Sequence, residues 1–549
     1  MRNCTLIAAS LVLLTPACAY RPARFADARP VTEIADDDGI DMPQRLEVND
    51  VVEFSDLFVG RPLVEAMRIT RRPPPGDVNA LDEVPRSSWF APLDADVSSF
   101  EGVYAVDGPP VPPFRVILER APSGDNGDLK RGGMGIPVVD ALGHRFELRR
   151  DPRDRVEVRT AAAAITARLV RALGYYAPEV YISDAEETDF STEPGEPFAQ
   201  SILSGNEPSS ADARRQALYK MLQDWLDSAP PSKTGNYRFS ATRWPPAADI
   251  DVGRTPVTGT RGDDPNDRVD HESRRTLRAL RLVGAWLGMT RFTPHDLRDV
   301  YTGQSGDGHL VHYMVGFDKS LGTEAIIGKR PQQTDEMKLL GTLGFAPDPN
   351  IPPTQRKYEA IGAIGEEVDP LRYGPGLPFP AMDATDGADA YWMAKRIAAI
   401  GEEMVLHAVR SGKVTNRTAR KLLFELILAR QRRVVEWGYA QTTPCDYERL
   451  DDHGIVVYDR AVAGGFTTFN TVEYVVSYID ADGETTHPGA VLGPDGPRFA
   501  VPLPKAAFGA DGYLVVRLRS EVSGVPAPRE MEIHLIRDVK GTRVVGVKH

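Results

Sequence analysis

Apolar residues recur at helical spacing in several stretches of the chain. Leu277, Leu280 and Leu287 fall on one face of a helix at this spacing, so that face is expected to be buried. An Ala-rich stretch ends before Gly174, a residue type that favours the turn after a helix. The pattern predicts these helices, with their capping residues: 156–173 ending at Gly174, 274–287 capped by Asp270, 389–411, and 416–437 capped by Thr415.

From Ile455 onward the apolar period changes from helical spacing to two. Gly, Pro and Asp turns separate the alternating stretches, which is typical of short antiparallel strands. The predicted strands are 455–458, 472–479, 499–503, 513–518, 531–536 and 544–547. This spacing predicts an antiparallel β-sandwich over 441–549, and we expect 442–549 to fold apart from the rest of the chain.

The preceding part of the chain mixes both periods. Alternating strands are predicted at 114–118, 145–149, 179–182 and 237–243, with helices at 156–173 and 211–226 between them. These elements predict an N-terminal α+β lobe with a mixed sheet over 77–245, followed by a mainly helical lobe over 246–440. A chain of 549 residues is too long for one ordinary core, which agrees with several units.

A helix, a loop and a hairpin follow one another between His271 and Gly322. His271 and Glu272 open the predicted helix, and a strand at 310–315 runs into Gly316-Phe317-Asp318. A phosphotransferase needs a carboxylate near the acceptor hydroxyl, an Asn or Asp on the metal in the same loop, and a strand-end Asp beneath the phosphates. Here the strand end reads Gly-Phe-Asp where Asp-Phe-Gly would be expected.

Three further segments carry a resemblance. They are Asp77-Val-Asn-Ala-Leu-Asp-Glu-Val-Pro-Arg-Ser-Ser-Trp-Phe90, then Gly259-Thr-Arg-Gly-Asp-Asp-Pro-Asn-Asp267 with His271-Glu272 and Arg274-Arg275, and Ala285-Trp286-Leu287. Together they resemble a family of uncharacterised exported bacterial proteins and lipoproteins, whose cores are remotely similar to atypical kinases such as HipA and CotH. The resemblance covers roughly residues 77–437 and implies a two-lobed kinase-like core, but no assigned activity.

The resemblance also implies which residues are missing. In the family pattern the Trp-Leu pair leads into an Asn-His-x-Asp loop, and the later strand ends in Asp-Phe-Gly. This chain has Gly288-Met289-Thr290-Arg291 in the loop, and Gly316 replaces the metal-binding Asp. The base and the main metal ligand are then both lost, which indicates a catalytically degenerate kinase-like protein.

Candidate site residues remain within this frame. Arg149 falls where the phosphate-binding Lys of such folds would lie, and Glu157 is its candidate ion-pair partner, so these two are the candidates for binding a cofactor. Asp296 and Asp318 are candidate catalytic carboxylates, with Asp299 as a further substitute. The alternative interpretation is that Arg149 and its neighbours form a solvated charged cluster. No cofactor is predicted.

No metal site is predicted. His309 and His312 lie three apart on a predicted strand, so they point to opposite faces and cannot chelate together. The acidic loop from Asp263 to Asp270 lacks the ligand order of calcium loops, and helix capping and solvation explain it.

The N-terminus has the pattern of a secretion signal. Arg2 supplies the positive charge, the apolar stretch 5–14 is too short to span a bilayer, and small residues follow, so 1–19 is predicted to be a signal peptide. Cleavage before Cys18 would leave a lipidated cysteine, whereas cleavage after Ala19 would leave a freely secreted protein. We favour lipidation of Cys18, with 20–76 as a tether and extended segment. Ala19 after the cysteine favours the outer membrane.

Composition and charge narrow the classes further. Hydrophobic residues make up 42% of the chain and charged residues 26%, as in folded soluble proteins. The net charge is −13 and the basic residues are scattered, which argues against a nucleic-acid partner. Cys4 leaves with the signal, Cys18 is lipidated or lies at the tip, and Cys445 is then alone, so no internal disulfide is expected.

Three functions are compatible with these observations. The first is a surface-anchored binding or scaffold lipoprotein with a catalytically degenerate kinase-like core, whose partner is a protein or a glycan. The second is an active phosphotransferase or nucleotide-binding enzyme whose carboxylates have moved to Asp296, Asp299 or Asp318. The third is a glycan-binding protein that acts through the C-terminal sandwich. The periplasm and the cell surface normally lack ATP, which disfavours the second function.

Overall fold

Most of the chain is described by the computed structural model. The described residues are 23–46, 55–67, 72–93, 108–117, 135–153, 155–192, 211–229, 231–232, 234–246, 249–289, 292–323, 358–375, 377–480 and 485–549. The predicted signal peptide with Cys18, and the loop residue Arg291, lie outside them.

A six-stranded mixed sheet forms the first layered unit. Its strands are β1 (Phe114–Val116), β2 (Gly135–Val139), β3 (Arg145–Arg149), β4 (Val180–Ala185), β5 (Phe190–Ser191) and β6 (Tyr237–Arg243). The order is β4-β6-β3-β2-β1-β5, with β1 and β5 parallel and the other pairs antiparallel. Phe146, Leu148 and Phe239 from this sheet and Trp225 from a helix form its apolar core. The mixed α+β arrangement predicted here is confirmed.

Two helices accompany this sheet, α2 (Val158–Leu173) and α3 (Ala211–Asp227), after the short α1 (Arg61–Ala66). Helix α2 is buried along most of its length, because its run of alanines lets neighbouring elements approach closely. It ends at Gly174 as predicted, with φ +113°. Its start differs from the prediction, because Glu157 adopts a left-handed conformation with φ +72° and precedes the first helical residue.

The largest core belongs to the helical part. Its helices are α4 (Arg275–Arg278), α5 (Leu280–Leu287), α6 (Pro380–Asp383), α7 (Gly387–Ala398), α8 (Glu402–Ser411) and α9 (Arg417–Tyr439). Trp286, Trp392 and Ile427 are buried at its centre. The predicted helix 274–287 is divided into α4 and α5, and the predicted helix 389–411 into α7 and α8 around Gly401.

The capping residues also differ from the predictions. Asn416, and not Thr415, caps α9, because its side chain accepts hydrogen bonds from the backbone N–H groups of Thr418 and Ala419 at 3.0 Å. The Asp270 side chain forms no cap. Asp77, which is distant in sequence, caps α4 instead.

A small three-stranded sheet interrupts the region predicted as mainly helical. It consists of β7 (Ile250–Arg254), β8 (Leu297–Thr302) and β9 (His309–Met314), all antiparallel. The β8–β9 hairpin is the predicted one, and it leads directly to Gly316. This sheet therefore positions the loop that carries Asp318.

Two antiparallel sheets form the C-terminal part. The first contains β10 (Cys445–Asp451), β11 (Gly454–Asp459) and β14 (Arg498–Val501). The second contains β12 (Val472–Asp480), β13 (Thr485–Leu492), β15 (Tyr513–Val522), β16 (Val525–Pro526), β17 (Met531–Asp538) and β18 (Gly541–Lys548), and helix α10 (Arg460–Ala463) follows β11. Val457, Tyr474 and Leu518 share one buried core between the sheets. The predicted antiparallel sheets are confirmed.

Polar contacts join these sheets to the rest of the chain. The Lys395 ammonium binds the Asp446 carboxylate at 2.8 Å and also pairs with Glu83. The Val547 N–H donates to the carbonyl oxygen of Ala80 at 2.8 Å. Whether 442–549 folds alone stays a prediction, since it has its own core but also this buried interface.

The N-terminal segment differs from the predicted tether. Residues 23–46 lie against the body and make backbone contacts with several of its elements. Backbone hydrogen bonds of 2.8 Å run from the N–H of Ile34 to Arg86, from that of Ile40 to Gly308, and from that of Leu46 to Val252. The described part of the segment is therefore a strap held to the body at several points by backbone hydrogen bonds.

Candidate active site

Strand β3 places Arg149 against the loop that follows the β8–β9 hairpin. Its guanidinium contacts the Asp318 carboxylate at 3.4 Å and the Glu147 carboxylate at 2.7 Å. The sequence thus identified two of the residues that meet, although they are far apart in the chain. A basic residue on the third strand that reaches an Asp after the hairpin is the arrangement by which protein kinases hold phosphates and metal.

Asp296 reaches the same place from the turn before β8. Its carboxylate accepts hydrogen bonds from the Thr293 backbone N–H at 2.7 Å and from the Thr293 hydroxyl at 2.9 Å. Its backbone carbonyl accepts from the Val315 N–H at 2.8 Å. Lys319 lies with its ammonium 3.7 Å from the carboxylate. The turn and the strand-end loop are therefore tied together.

Gly316 is the position where the resemblance predicts a metal-binding Asp. Its φ is +77°, and a Cβ placed there would overlap the Asp296 carboxylate oxygen. Asp296 therefore occupies the space that a side chain at position 316 would need. The sequence pattern alone predicts that a carboxylate is lost at Gly316. The structure shows that the Asp296 carboxylate lies beside the backbone of this glycine.

The two carboxylates have opposite electrostatic environments. Burial raises the pKa of Asp296, and the neighbouring Asp318 charge acts in the same direction, while Lys319 and Thr293 oppose it. Burial also acts to raise the pKa of Asp318, but Arg149, Arg159 and Lys319 outweigh it and hold that pKa below its ordinary value. Asp318 is thus kept ionised by neighbouring cations.

The space between these groups is small. Glu147, Arg149, Asp296, Gly316 and Asp318 line a cavity of about 30 Å³. A cavity of this size holds about one water molecule. Binding sites for nucleotide-sized ligands have volumes of hundreds of Å³, so this cavity is too small for a nucleotide.

Glu157 is not the partner of Arg149. Its carboxylate accepts a hydrogen bond from the Thr415 backbone N–H at 3.0 Å and lines a different cavity, of about 810 Å³. The left-handed backbone at Glu157 accompanies this placement at the start of α2. The predicted ion pair is therefore wrong, and Arg149 pairs with Glu147 and Asp318 instead.

Asp299, the further candidate, lies in a separate buried network. Its carboxylate binds the Arg261 guanidinium at 2.7 Å and the His312 imidazole at 2.8 Å. The Trp89 ring stacks on His312 with centroids 3.8 Å apart, and the Arg274 guanidinium lies over the Trp89 ring, 4.6 Å from its centroid. Trp89, Arg261 and Arg274 belong to the segments that carry the family resemblance, and in this network they are buried and have a structural role.

Two site residues were missed by the sequence analysis. Arg159 and Lys319 supply the positive charge that, with Arg149, holds Asp318 ionised. Lys319 directly follows Asp318, and that adjacency was the only available signal. Arg159 lies on α2, and its distance from Asp318 in sequence hides the relation.

Within the described ranges, no group of three or more His, Cys, Asp or Glu side chains is arranged to hold a metal ion. In the same ranges, no helix combines the length and apolar character needed to cross a bilayer.

The sequence and the structure were also compared with those of known proteins. No protein-family model and no curated protein matches the sequence. Among solved structures, the chain is similar to the Helicobacter pylori proinflammatory kinase CtkA, with a TM-score of 0.31 and 8% identity over 60% of this chain and 97% of that chain. It is also similar to the Golgi casein kinase with Mn and ADP bound, with a TM-score of 0.27 and 9% identity over 66% of this chain and 77% of that chain. A further Golgi casein kinase structure gives a TM-score of 0.27 and 9% identity over 62% and 74%. TM-scores this low carry no weight for function, so the function is inferred from the site itself.

Proposed function

We propose that this protein is a surface-anchored binding or scaffold lipoprotein whose kinase-like site is catalytically degenerate. The observation that carries the proposal is that basic residues of the chain already pair with the carboxylates of the site and that little space is left between them. Asp318 is paired with Arg149, Asp296 with Lys319, and the space between them is about 30 Å³. The anchor is Cys18, and the partner is an unidentified protein.

The charge balance explains why catalysis is disfavoured. Phosphoryl transfer depends on metal ions that bridge the phosphates and on carboxylates that hold those metals. A divalent cation would have to displace Arg149 and Lys319 from the carboxylates that they already neutralise. Gly316 offers only backbone groups where a metal-binding carboxylate is needed. The site therefore lacks both an accessible volume and a free carboxylate pair.

A glycan partner receives less support from the C-terminal sheets. Tyr458 on β11 is an aromatic side chain that could stack on a sugar ring. The guanidinium groups of Arg460 and Arg498 already lie over its ring, at 4.8 and 4.6 Å from the centroid. Cations thus take the position that a sugar would need, and a protein partner is favoured.

One observation favours an active phosphotransferase as the second candidate. Asp296 and Asp318 line the same cavity, and Asp296 fills the space beside Gly316 where the missing carboxylate would lie. The residues therefore fit a relocated metal site if Arg149 and Lys319 move aside when magnesium and ATP bind. In that case Asp296 and Asp318 would hold the metal, which would neutralise phosphate charge.

The experiment that separates the two candidates is an assay of the purified protein with ATP and magnesium or manganese. We expect no autophosphorylation, no ATP hydrolysis, and no rise in melting temperature with nucleotide. The matched variants are Asp318→Ala and, as a control on an exposed strand residue, Asp184→Ala. Robust autophosphorylation that Asp318→Ala abolishes and Asp184→Ala retains would establish the second candidate and overturn the first.

A further inference from the structure

The strap begins on the outer face of the larger C-terminal sheet. The Phe25 ring packs against His534, with centroids 4.8 Å apart, and lies directly over the backbone of Gly546. The Phe25 N–H donates to the Tyr513 hydroxyl at 2.9 Å, and Arg24 pairs with Asp511. Phe25 thereby joins a small apolar cluster on the face opposite the main core of these sheets.

These contacts lie at one end of the sheet. Asp27 pairs with Arg543, whose side chain also binds Asp538 at 2.9 Å in the turn between β17 and β18. Tyr513 begins β15 at this same end, whereas β15 ends at Val522, which pairs with Val525 at the start of β16. Strand β15 has 10 residues, so the two ends are about 30 Å apart.

Chain length limits how far this end can be from a membrane. Five residues lie between Cys18 and Arg24, and a fully extended chain spans at most about 20 Å over those six Cα–Cα steps. This step rests on the proposed anchoring at Cys18. A lipid on Cys18 would therefore hold the end at Tyr513 and Asp538 near the phospholipid headgroups.

The chemistry of this end fits a lipid surface. Val539 at the tip of the β17–β18 turn is fully exposed, with a relative exposure of 104%. Lys540 beside it and Lys505 on the neighbouring loop are exposed cations. Three nearby carboxylates are paired, Asp511 with Arg24 and both Asp27 and Asp538 with Arg543, and Asp480 lies at the same end opposite Leu514. An exposed apolar tip among cations favours insertion at an anionic membrane surface.

We propose that the β17–β18 turn, with Val539 at its tip, is the membrane-contacting end of the protein, and that it binds the surface of an anionic phospholipid bilayer. The strands of the larger sheet then point toward the membrane surface, with the β17–β18 turn at the lipid and the end at Val525 directed away from it. This orientation places the two ends of one sheet in different environments, and that difference can be measured directly.

The test uses the full chain with a polarity-sensitive fluorophore on a single introduced cysteine, either Val539→Cys or Val525→Cys. Both positions are exposed valines at opposite ends of the sheet, Val539 in the β17–β18 turn and Val525 at the start of the short edge strand β16, and the remaining Cys445 is buried. The lipidated protein is placed in vesicles of phosphatidylethanolamine and phosphatidylglycerol that contain a lipid-linked quencher. We expect several-fold stronger quenching and a blue-shifted emission at position 539 only.

The outcomes separate the orientation from the anchor. Equal quenching at both positions, or stronger quenching at 525, in protein that fractionates with the membrane would overturn the orientation and leave the anchor intact. Protein that stays in the soluble fraction, with a label at 539 that does not respond to vesicles, would overturn both. Loss of the 539 signal in vesicles of phosphatidylcholine alone would assign the contact to anionic headgroups, and its retention would contradict that part of the proposal.

Discussion

At the scale of single residues, Gly316 decides how the candidate site is interpreted. The sequence pattern predicts a lost Asp at this position, yet Asp296 lies where a side chain at position 316 would be. Because Lys319 and Thr293 hold Asp296 in place, reintroducing a carboxylate at 316 would force two acids into one space. The glycine is thus a steric requirement of the present arrangement.

Gly316→Ala is expected to destabilise the protein more than Gly143→Ala. Both glycines have positive φ, +77° and +83°, so each substitution costs about 1–2 kcal/mol in backbone strain. Only at Gly316 does the added Cβ meet a buried side chain, whereas Gly143 faces open space. Overpacking adds about 1–3 kcal/mol at Gly316, measurable as a lower urea midpoint. Equal losses in the two variants would show that Asp296 moves aside freely.

Asp299 is expected to make stability fall in acid. Burial acts to raise its pKa, but His312 and Arg261 bring the pKa down to about 2. A lowered folded-state pKa contributes stability that is present above the unfolded value of about 4 and is lost as pH falls from about 4 to about 2. The contribution is about 2–3 kcal/mol for this fully buried group.

Asp299→Asn should therefore be less stable at pH 7 and show a shallower decline in unfolding free energy between pH 4 and pH 2. Chemical unfolding at several pH values measures both effects. The exposed Asp452→Asn variant is the control and should follow the parent protein. An acid decline in Asp299→Asn as steep as in the parent would remove Asp299 as its source.

At the scale of secondary-structure elements, residues distant in sequence determine where helices begin. The Asp77 carboxylate accepts hydrogen bonds from the backbone N–H groups of Arg275 at 2.5 Å and Thr276 at 3.1 Å. These are the first turn of α4, so the 77–90 segment has a structural role as a cap. This cap fixes the start of α4 at Arg275, one residue after the predicted start, and the division between α4 and α5 falls later, at Ala279.

Asp77→Ala should lower the free energy of unfolding by about 1–2 kcal/mol, because the helix loses its capping acceptor. Asp270→Ala should have little effect, since Asp270 is exposed and its side chain makes no cap bond. Urea unfolding of both variants provides the comparison. The opposite ranking would restore Asp270 as the functional cap.

Periodicity predicted those elements whose stability depends on their own buried face. Helices α2 and α9 and the predicted C-terminal strands lie close to their predicted bounds, because one apolar face per element is visible in sequence. The partner of Arg149 could not be predicted in this way. The left-handed backbone of Glu157 directs it to Thr415, and the approach of Asp296 to Gly316 depends on the β8–β9 hairpin.

At the scale of the whole molecule, one N-terminal segment contacts three separate parts of the fold. Residues 23–46 bind the larger C-terminal sheet through Phe25, the small sheet through Ile40 and Leu46, and the 77–90 segment through Ile34. The described part of a segment predicted as a tether and extended segment thus connects these parts through its contacts. Only the short stretch between Cys18 and Arg24 is left to separate a lipid anchor from the body.

Cys18→Ser is the substitution that tests the anchor itself. We expect the parent protein in the membrane fraction without residues 1–17, because the lipid would be attached to the thiol of the new N-terminal cysteine. Cys18→Ser should lose this processing and shift to the soluble fraction, since one acylated cysteine supplies the main membrane affinity. Cys4→Ser lies within the same predicted signal and serves as the control, with unchanged processing. Cell fractionation and mass spectrometry of the mature N-terminus measure both results. Membrane fractionation that is identical in Cys18→Ser and the parent would refute the lipid anchor and favour cleavage after Ala19.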